Sequence, residues 1–277
     1  MYKMICVDMD GTLLNKRKKI SKEDKEALKR AHDEKNIHIV ITTGRLYNDA
    51  SYYASLLGVK SSVISGNGAF IKDELNNKVI SKSTLSKEEF KQILRACEKF
   101  NMNPNLYTTD SIYIYSKIYT FIEKFLMIKR PKGFKTKILN VKNKNTWINI
   151  IEKNENYIIK GLVLSFNRQK LMRFKEYIIN KLNLEAHMSS KFTLEINSRN
   201  TNKRTGVSSL ERYYGIRREE IICIGDNEND IPMIEYAGLG VAMGNARKKV
   251  KERADFITYD NNNFGVANAI NKHIFTK

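Results

Sequence analysis

In the stretch Met4-Ile5-Cys6-Val7-Asp8-Met9-Asp10-Gly11-Thr12 an apolar run leads into two aspartates one residue apart, followed by a glycine. The run has the length and character of a buried strand, so both carboxylates stand at its exit, where Gly11 lets the chain turn sharply. Further short apolar runs at 37–41, 63–64, 221–224 and 239–242 also end in small or polar residues. Helical patterns separate several of them. Ser21 with Asp24 three residues on predicts a capping box opening a helix to about Lys35, and 45–57 reads as a helix closed by Gly58. Strands flanked by helices predict an α/β fold with a mostly parallel sheet covered on both faces. Ligands of such sheets bind beyond the carboxyl ends of the strands.

The strand exits therefore converge on one edge. The first supplies Asp8 and Asp10; the second, Ile-Val-Ile-Thr-Thr-Gly-Arg, supplies Thr42, Thr43, Gly44 and Arg45; the third supplies Ser65 to Ala69, with Asn67. The fourth ends in Asp226, Asn227, Glu228, Asn229 and Asp230. So many carboxylates at one edge would repel one another without a cation, and hard oxygen ligands with room for water suit Mg²⁺. A carboxylate beside Mg²⁺ can attack phosphorus, and a second acid two residues along can protonate the leaving oxygen and later take a proton from water. Lys203, Thr43 and the backbone after Asp8 could stabilise the transferring charge.

Between about 84 and 188 the pattern changes. Alternation at 111–117, helical character at 119–128 and 169–182, and a strand-like run at 161–166 predict an inserted α+β domain. It holds 20 Lys and Arg against 9 Asp and Glu, a net +11. The flanking parts, 1–83 and 189–277, form the core domain in this reading.

The chain has 277 residues and a net charge of +19. Its basic residues are spread along an AT-rich type of composition, and the two tightest runs, Lys16-Arg17-Lys18-Lys19 and Arg247-Lys248-Lys249, read as solvated faces. No zinc-ligand spacing or aromatic RNA-binding signature accompanies them, so no nucleic-acid partner is expected. Three unpaired cysteines, Cys6, Cys97 and Cys223, and the lack of a leader or an apolar span point to a cytoplasmic protein without membrane attachment. The four histidines show no metal-ligand spacing.

Taken in order, Asp8-Met9-Asp10-Gly11-Thr12, the Thr-Thr-Gly-Arg ending at Arg45, Asn202-Lys203-Arg204-Thr205-Gly206-Val207 and the segment from Gly225 resemble the four signature motifs of the haloacid dehalogenase superfamily. Ser65-Gly66-Asn67-Gly68-Ala69 and the large insertion resemble its Cof-type sugar-phosphate phosphatases with a C2-type cap. The resemblance implies a Rossmann-like core and a Mg²⁺-dependent hydrolase of a small phosphorylated metabolite. It makes Asp8 the nucleophile and Asp10 the general acid and base. The carboxylates of Asp8 and Asp226 and the main-chain carbonyl of Asp10 would hold Mg²⁺, with Asp230 and Asn229 supporting the metal and the phosphate and Asn229 on the substrate side. Thr43 and Lys203 would bind the phosphoryl group, with Asn67, Gly44 and Arg45 on the substrate; Arg45 paired with a surface acid is the alternative. Arg204 stands where family members commonly have glycine. A phosphosugar mutase would use the same two aspartates. A receiver-like signalling domain would store phosphate on Asp8, but has no reason to keep Asp10 or to carry a cap.

Overall fold

The computed structural model describes residues 1–117, 119–121, 136–141, 143, 146–153 and 156–276. The chain opens with β1 (Met4–Asp8), α1 (Lys22–Lys35), β2 (His38–Thr42), α2 (Tyr47–Ser55), β3 (Ser62–Ser65), β4 (Phe70–Asp73) and β5 (Lys78–Lys82). It continues through α3 (Lys87–Lys99), β6 (Pro104–Thr108), β7 (Ser111–Ile114), β8 (Lys137–Asn140), α4 (Thr146–Lys153), β9 (Ile158–Leu164), α5 (Arg168–Leu182), β10 (Glu185–Met188) and β11 (Thr193–Asn197). It closes with α6 (Lys203–Tyr214), β12 (Ile221–Gly225), α7 (Ile231–Ile234), β13 (Leu239–Ala242), α8 (Lys248–Lys251), β14 (Phe256–Ile257) and α9 (Gly265–Ile270).

The chain divides into two compact units. The first comprises Met1–Arg45, Tyr53–Lys82 and Asn202–Lys277; the second comprises Leu46–Tyr52 and Ser83–Thr201. The first unit is built on one sheet in the order β14-β13-β12-β1-β2-β3-β4-β5. Strands β14 to β3 run parallel, and β4 and β5 add an antiparallel edge, so the α/β reading holds. β1 lies near the middle and is buried along its whole length. Met4, Cys6, Val40, Ile64, Ile221 and Cys223 on one face pack with Val207 and Leu210 of α6. That is why these runs are uniformly apolar: both faces of a parallel sheet are removed from water. Cys6 and Cys223 are register partners on adjacent strands, both buried and unpaired, a proximity that their spacing in sequence could not reveal.

Two helix readings need correction. Ser21 caps α1 by accepting from the Asp24 N–H, but Asp24 does not complete a capping box. Its carboxylate instead accepts from the Ser21 hydroxyl at 2.7 Å and from the Ala267 N–H at 2.8 Å, which ties α1 to α9. α2 begins at Tyr47 rather than at Arg45, because the Arg45 carbonyl accepts from the Gly66 N–H and its side chain is drawn to Asp10.

The second unit has a six-stranded sheet, β10-β11-β9-β6-β7-β8, antiparallel except for the pair β7 and β8. Phe90 and Ile93 of α3, Trp147 of α4 and Phe174 and Ile178 of α5 cluster with Leu106, Val163, Leu194 and Ile196 of the strands. Asn105, Tyr107, Lys160 and Glu195 are also buried here, and Lys160 and Glu195 form an ion pair at 2.8 Å. The sequence boundary at 188/189 falls inside this sheet. β11 pairs with both β10 and β9, so the chain returns to the first unit at Asn202. The alternation at 111–117 yields a strand only over Ser111–Ile114. Of the helical reading at 119–128, residues 122–128 lie outside the described residues. Among the described residues no helix is long and apolar enough to cross a membrane.

Candidate active site

The carboxyl ends of β1, β2 and β12 and the start of α6 all contribute to one constellation in the first unit. Asp8 is the last residue of β1 and is buried. Lys203, the first residue of α6, is fully buried and places its Nζ 2.5 Å from Asp8 Oδ1 and 2.5 Å from Asp230 Oδ1. It also donates to the Thr42 carbonyl at 3.4 Å. A lysine at a helix N-terminus opposes the helix dipole, and here the two aspartates offset this. Arg204 causes no disturbance: α6 has a full Asn202–Thr205 capping box, and the Arg204 guanidinium lies over the Tyr236 ring.

Asp230 is anchored at its other oxygen, where Oδ2 accepts from the N–H groups of Asp226 and Asn227, each at 2.9 Å. The turn needs Gly225, since a Cβ there would lie 2.5 Å from Asp230 Cβ. Asp226 accepts from the Thr12 hydroxyl at 3.3 Å. Gly11 is required for two reasons: its φ is +89°, and a Cβ would fall 2.4 Å from Asp226 Oδ2.

Oxygens of Asp8, Asp226 and Asp230 lie within 4.8 Å of one another. Burial first, then the neighbouring carboxylates, push Asp226 up to about 7. Burial and the Asp230 charge likewise hold Asp8 well above the usual carboxylate range, despite Lys203. Burial alone would lower the Lys203 pKa, but Asp230 and Asp8 outweigh it and hold the lysine charged. One buried cation thus faces three carboxylates. This donor set of hard oxygens with an excess of negative charge fits a divalent ion such as Mg²⁺.

The Asp10 side chain stands apart from that cluster. Arg45 grips it with two bonds, Nε to Oδ2 and Nη2 to Oδ1, both 2.6 Å, and Lys18 Nζ reaches Oδ1 at 2.7 Å. Burial would raise the Asp10 pKa, but Arg45 and then Lys18 overcome it and hold the group at about 2. Arg45 thus pairs with the carboxylate of Asp10, which is itself partly exposed. Thr43 Oγ1 accepts from the Arg45 N–H at 3.1 Å, and the Thr43 carbonyl accepts from the Asn67 N–H at 3.0 Å. Asn67 is buried in a left-handed conformation, φ 59°, and its Oδ1 accepts from Asn229 Nδ2 at 3.1 Å. Gly44 joins Thr43 to Arg45 at the exit of β2. Glu228 faces Arg247 at 3.2 Å.

Three contributors escape a reading of four strand exits. Asn245, beyond β13, donates to the Gly11 carbonyl at 2.8 Å, and the Arg247 N–H donates to the Asp226 carbonyl at 3.2 Å. The run at 239–242 carries the signal for both, since its exit lies on the same edge of the sheet. Lys18 is the third omission; its run reads from sequence as a solvated face.

A family model described as haloacid dehalogenase-like hydrolase matches residues 5–270. The chain belongs to the haloacid dehalogenase-like hydrolases. Among its relatives, this hydrolase is 32% identical to the 5-amino-6-(5-phospho-D-ribitylamino)uracil phosphatase YcsE of Bacillus subtilis, over 97% of this chain and 94% of the relative. The solved structure of a haloacid dehalogenase-like hydrolase from B. subtilis superposes with a TM-score of 0.84 at 29% identity, covering 99% of this chain and all of the other. The subclass IIB sugar phosphatase BT4131 does so with a TM-score of 0.79 at 25% identity, over 98% of each chain.

Proposed function

We propose that this hydrolase is a Mg²⁺-dependent phosphatase of small phosphorylated metabolites, sugar phosphates or related esters, working through a phosphoryl group carried on Asp8. The inserted unit serves as its C2-type cap. The observation that carries the reading is the constellation at the end of β1: Asp8 fixed through Oδ1 by buried Lys203 inside a three-carboxylate cluster, with Asp10 held separately by Arg45. The phosphatase names of the relatives support the substrate class.

The chain's own groups divide the work. Lys203 and the Asp230 anchor fix Asp8 so that its second oxygen can attack phosphorus. The free site holds Asp10 ionised, so Asp10 takes a proton from solvent as the negatively charged phosphoryl group binds beside it; it gives that proton to the leaving oxygen as the phosphorus–oxygen bond breaks, and Arg45 holds the carboxylate that is restored. Water then yields a proton to Asp10 and its oxygen attacks phosphorus, which restores Asp8 and frees inorganic phosphate. Thr43, Gly44 and Asn67, with Asn229 behind them, line the phosphoryl position. A divalent ion, held by Asp8, Asp226 and the Asp10 carbonyl with Asp230 in support, would neutralise charge on the phosphoryl oxygens.

Purified protein is expected to release phosphate from p-nitrophenyl phosphate and from a panel of sugar phosphates with added Mg²⁺, and to stop in excess chelator. Full activity in the chelator would overturn the reading.

Stability carries a second signature. The folded-state pKa of Asp226, about 7, lies above its ordinary value of 3.8, so the folded protein holds this proton more tightly than the unfolded chain does. The stabilisation is complete below the ordinary value and is lost as pH rises towards 7. Metal-free protein is therefore expected to melt at a lower temperature at pH 8 than at pH 5.5, and Mg²⁺ to raise the melting temperature more at pH 8. Equal Mg²⁺ shifts at both pH values would contradict the metal assignment.

A further inference from the structure

The Lys18 contact with Asp10 is not needed by the reaction. Arg45 already matches the charge of Asp10 with two bonds, and the three inner carboxylates face Lys203 and the proposed divalent ion. Lys18 is a second cation at the same carboxylate, and it leaves the mouth of the site with one positive charge more than Asp10 can match.

The turn that carries it is well built. Asn15 accepts from the N–H groups of Arg17 and Lys19 at 2.9 and 3.1 Å through its side chain, and from the Lys18 N–H at 2.9 Å through its carbonyl. Asn261 Nδ2 donates to the Leu14 carbonyl at 2.7 Å, and Asn262 Oδ1 accepts from the Lys16 N–H at 3.2 Å. Lys18 itself is left-handed, φ 57°. Among the described residues nine non-glycine positions have positive φ, and seven are Asn; Lys18 and Phe264 are the exceptions. A chain rich in Asn thus places a lysine where Asn fits the backbone better. The side chain stays 60% exposed, with its ammonium 2.7 Å from Asp10 Oδ1.

Resting on the proposed function, we infer that Lys18 is a specificity residue that binds a second anionic group, carboxylate or phosphate, on the leaving portion of the substrate. The leaving oxygen must lie against Asp10 to receive its proton, which puts the ammonium within one carboxylate's width of it. The net +11 of the inserted unit is spread over many residues, whereas Lys18 supplies a single named cation in the catalytic unit itself.

The experiment compares esters in pairs: fructose 1,6-bisphosphate with fructose 1-phosphate, and 3-phosphoglycerate with glycerol 3-phosphate, beside p-nitrophenyl phosphate. Wild type is expected to favour the more anionic member of at least one pair. Lys18→Asn removes the charge while suiting the left-handed backbone. It should reduce that preference about fivefold, chiefly through KM, as expected for a partly exposed ion pair. Lys18→Arg should keep most of the preference, added salt should weaken it, and Lys16→Ala on the same turn should leave it unchanged. The pair that responds tells carboxylate from phosphate. No preference in wild type, or equal losses on both members of each pair in Lys18→Asn, would overturn the inference while p-nitrophenyl phosphate turnover upholds the function. Failure of wild type on every ester would remove both.

Discussion

Asp8→Asn is expected to leave a folded protein whose turnover of p-nitrophenyl phosphate falls by at least about a thousandfold, because the amide cannot act as the nucleophile. The change is nearly isosteric, and Lys203 can still bond to the amide oxygen. Burial and the Asp230 charge both disfavour an ionised Asp8, so removing its charge should not lower the melting temperature of the metal-free protein. Activity and stability therefore separate. Retention of more than a few per cent of wild-type kcat would sink the assignment of Asp8.

Lys203→Met should fail in both respects. The ammonium is fully buried between Asp8 and Asp230, and removing one partner of a buried ion pair leaves uncompensated charge. Such losses cost about 3–5 kcal/mol, and this site leaves three carboxylates close together. A large drop in melting temperature is expected along with loss of turnover. Adding Asp230→Asn to Lys203→Met should recover part of the stability and none of the activity. If Lys203→Met melted like wild type, the lysine would not be the structural counter-charge described here.

How much of this was legible depended on whether the signal was local. β1, β2, β3, β12 and β13 could be read because each is a short apolar run buried on both faces, with its end marked by polar residues. Asp8, Asp226 and Asp230 meet because parallel strands deliver their ends to one edge, which follows from order alone, whereas Lys203 comes to them at the start of α6. What could not be read depends on side chains crossing between segments. The start of α2 moved to Tyr47 because Arg45 is claimed by Asp10 and Gly66, neither of them a neighbour in sequence. Lys18 looks like any other lysine in a basic run until the Asn15 turn aims it at Asp10. The chain returns to the core later than the sequence boundary at 188/189 because β11, which begins only five residues after β10 ends and alternates as Thr-Leu-Glu-Ile-Asn, pairs with β10 and β9.

In the proposed reaction the phosphoryl group passes through Asp8 and not directly to water. The stereochemical course at phosphorus tests this, using a phosphorothioate ester made chiral with two oxygen isotopes and hydrolysed in water that carries the third. Two successive in-line displacements, the first on Asp8 and the second by water, predict net retention of configuration. Net inversion would mean a single displacement by water and would contradict the account.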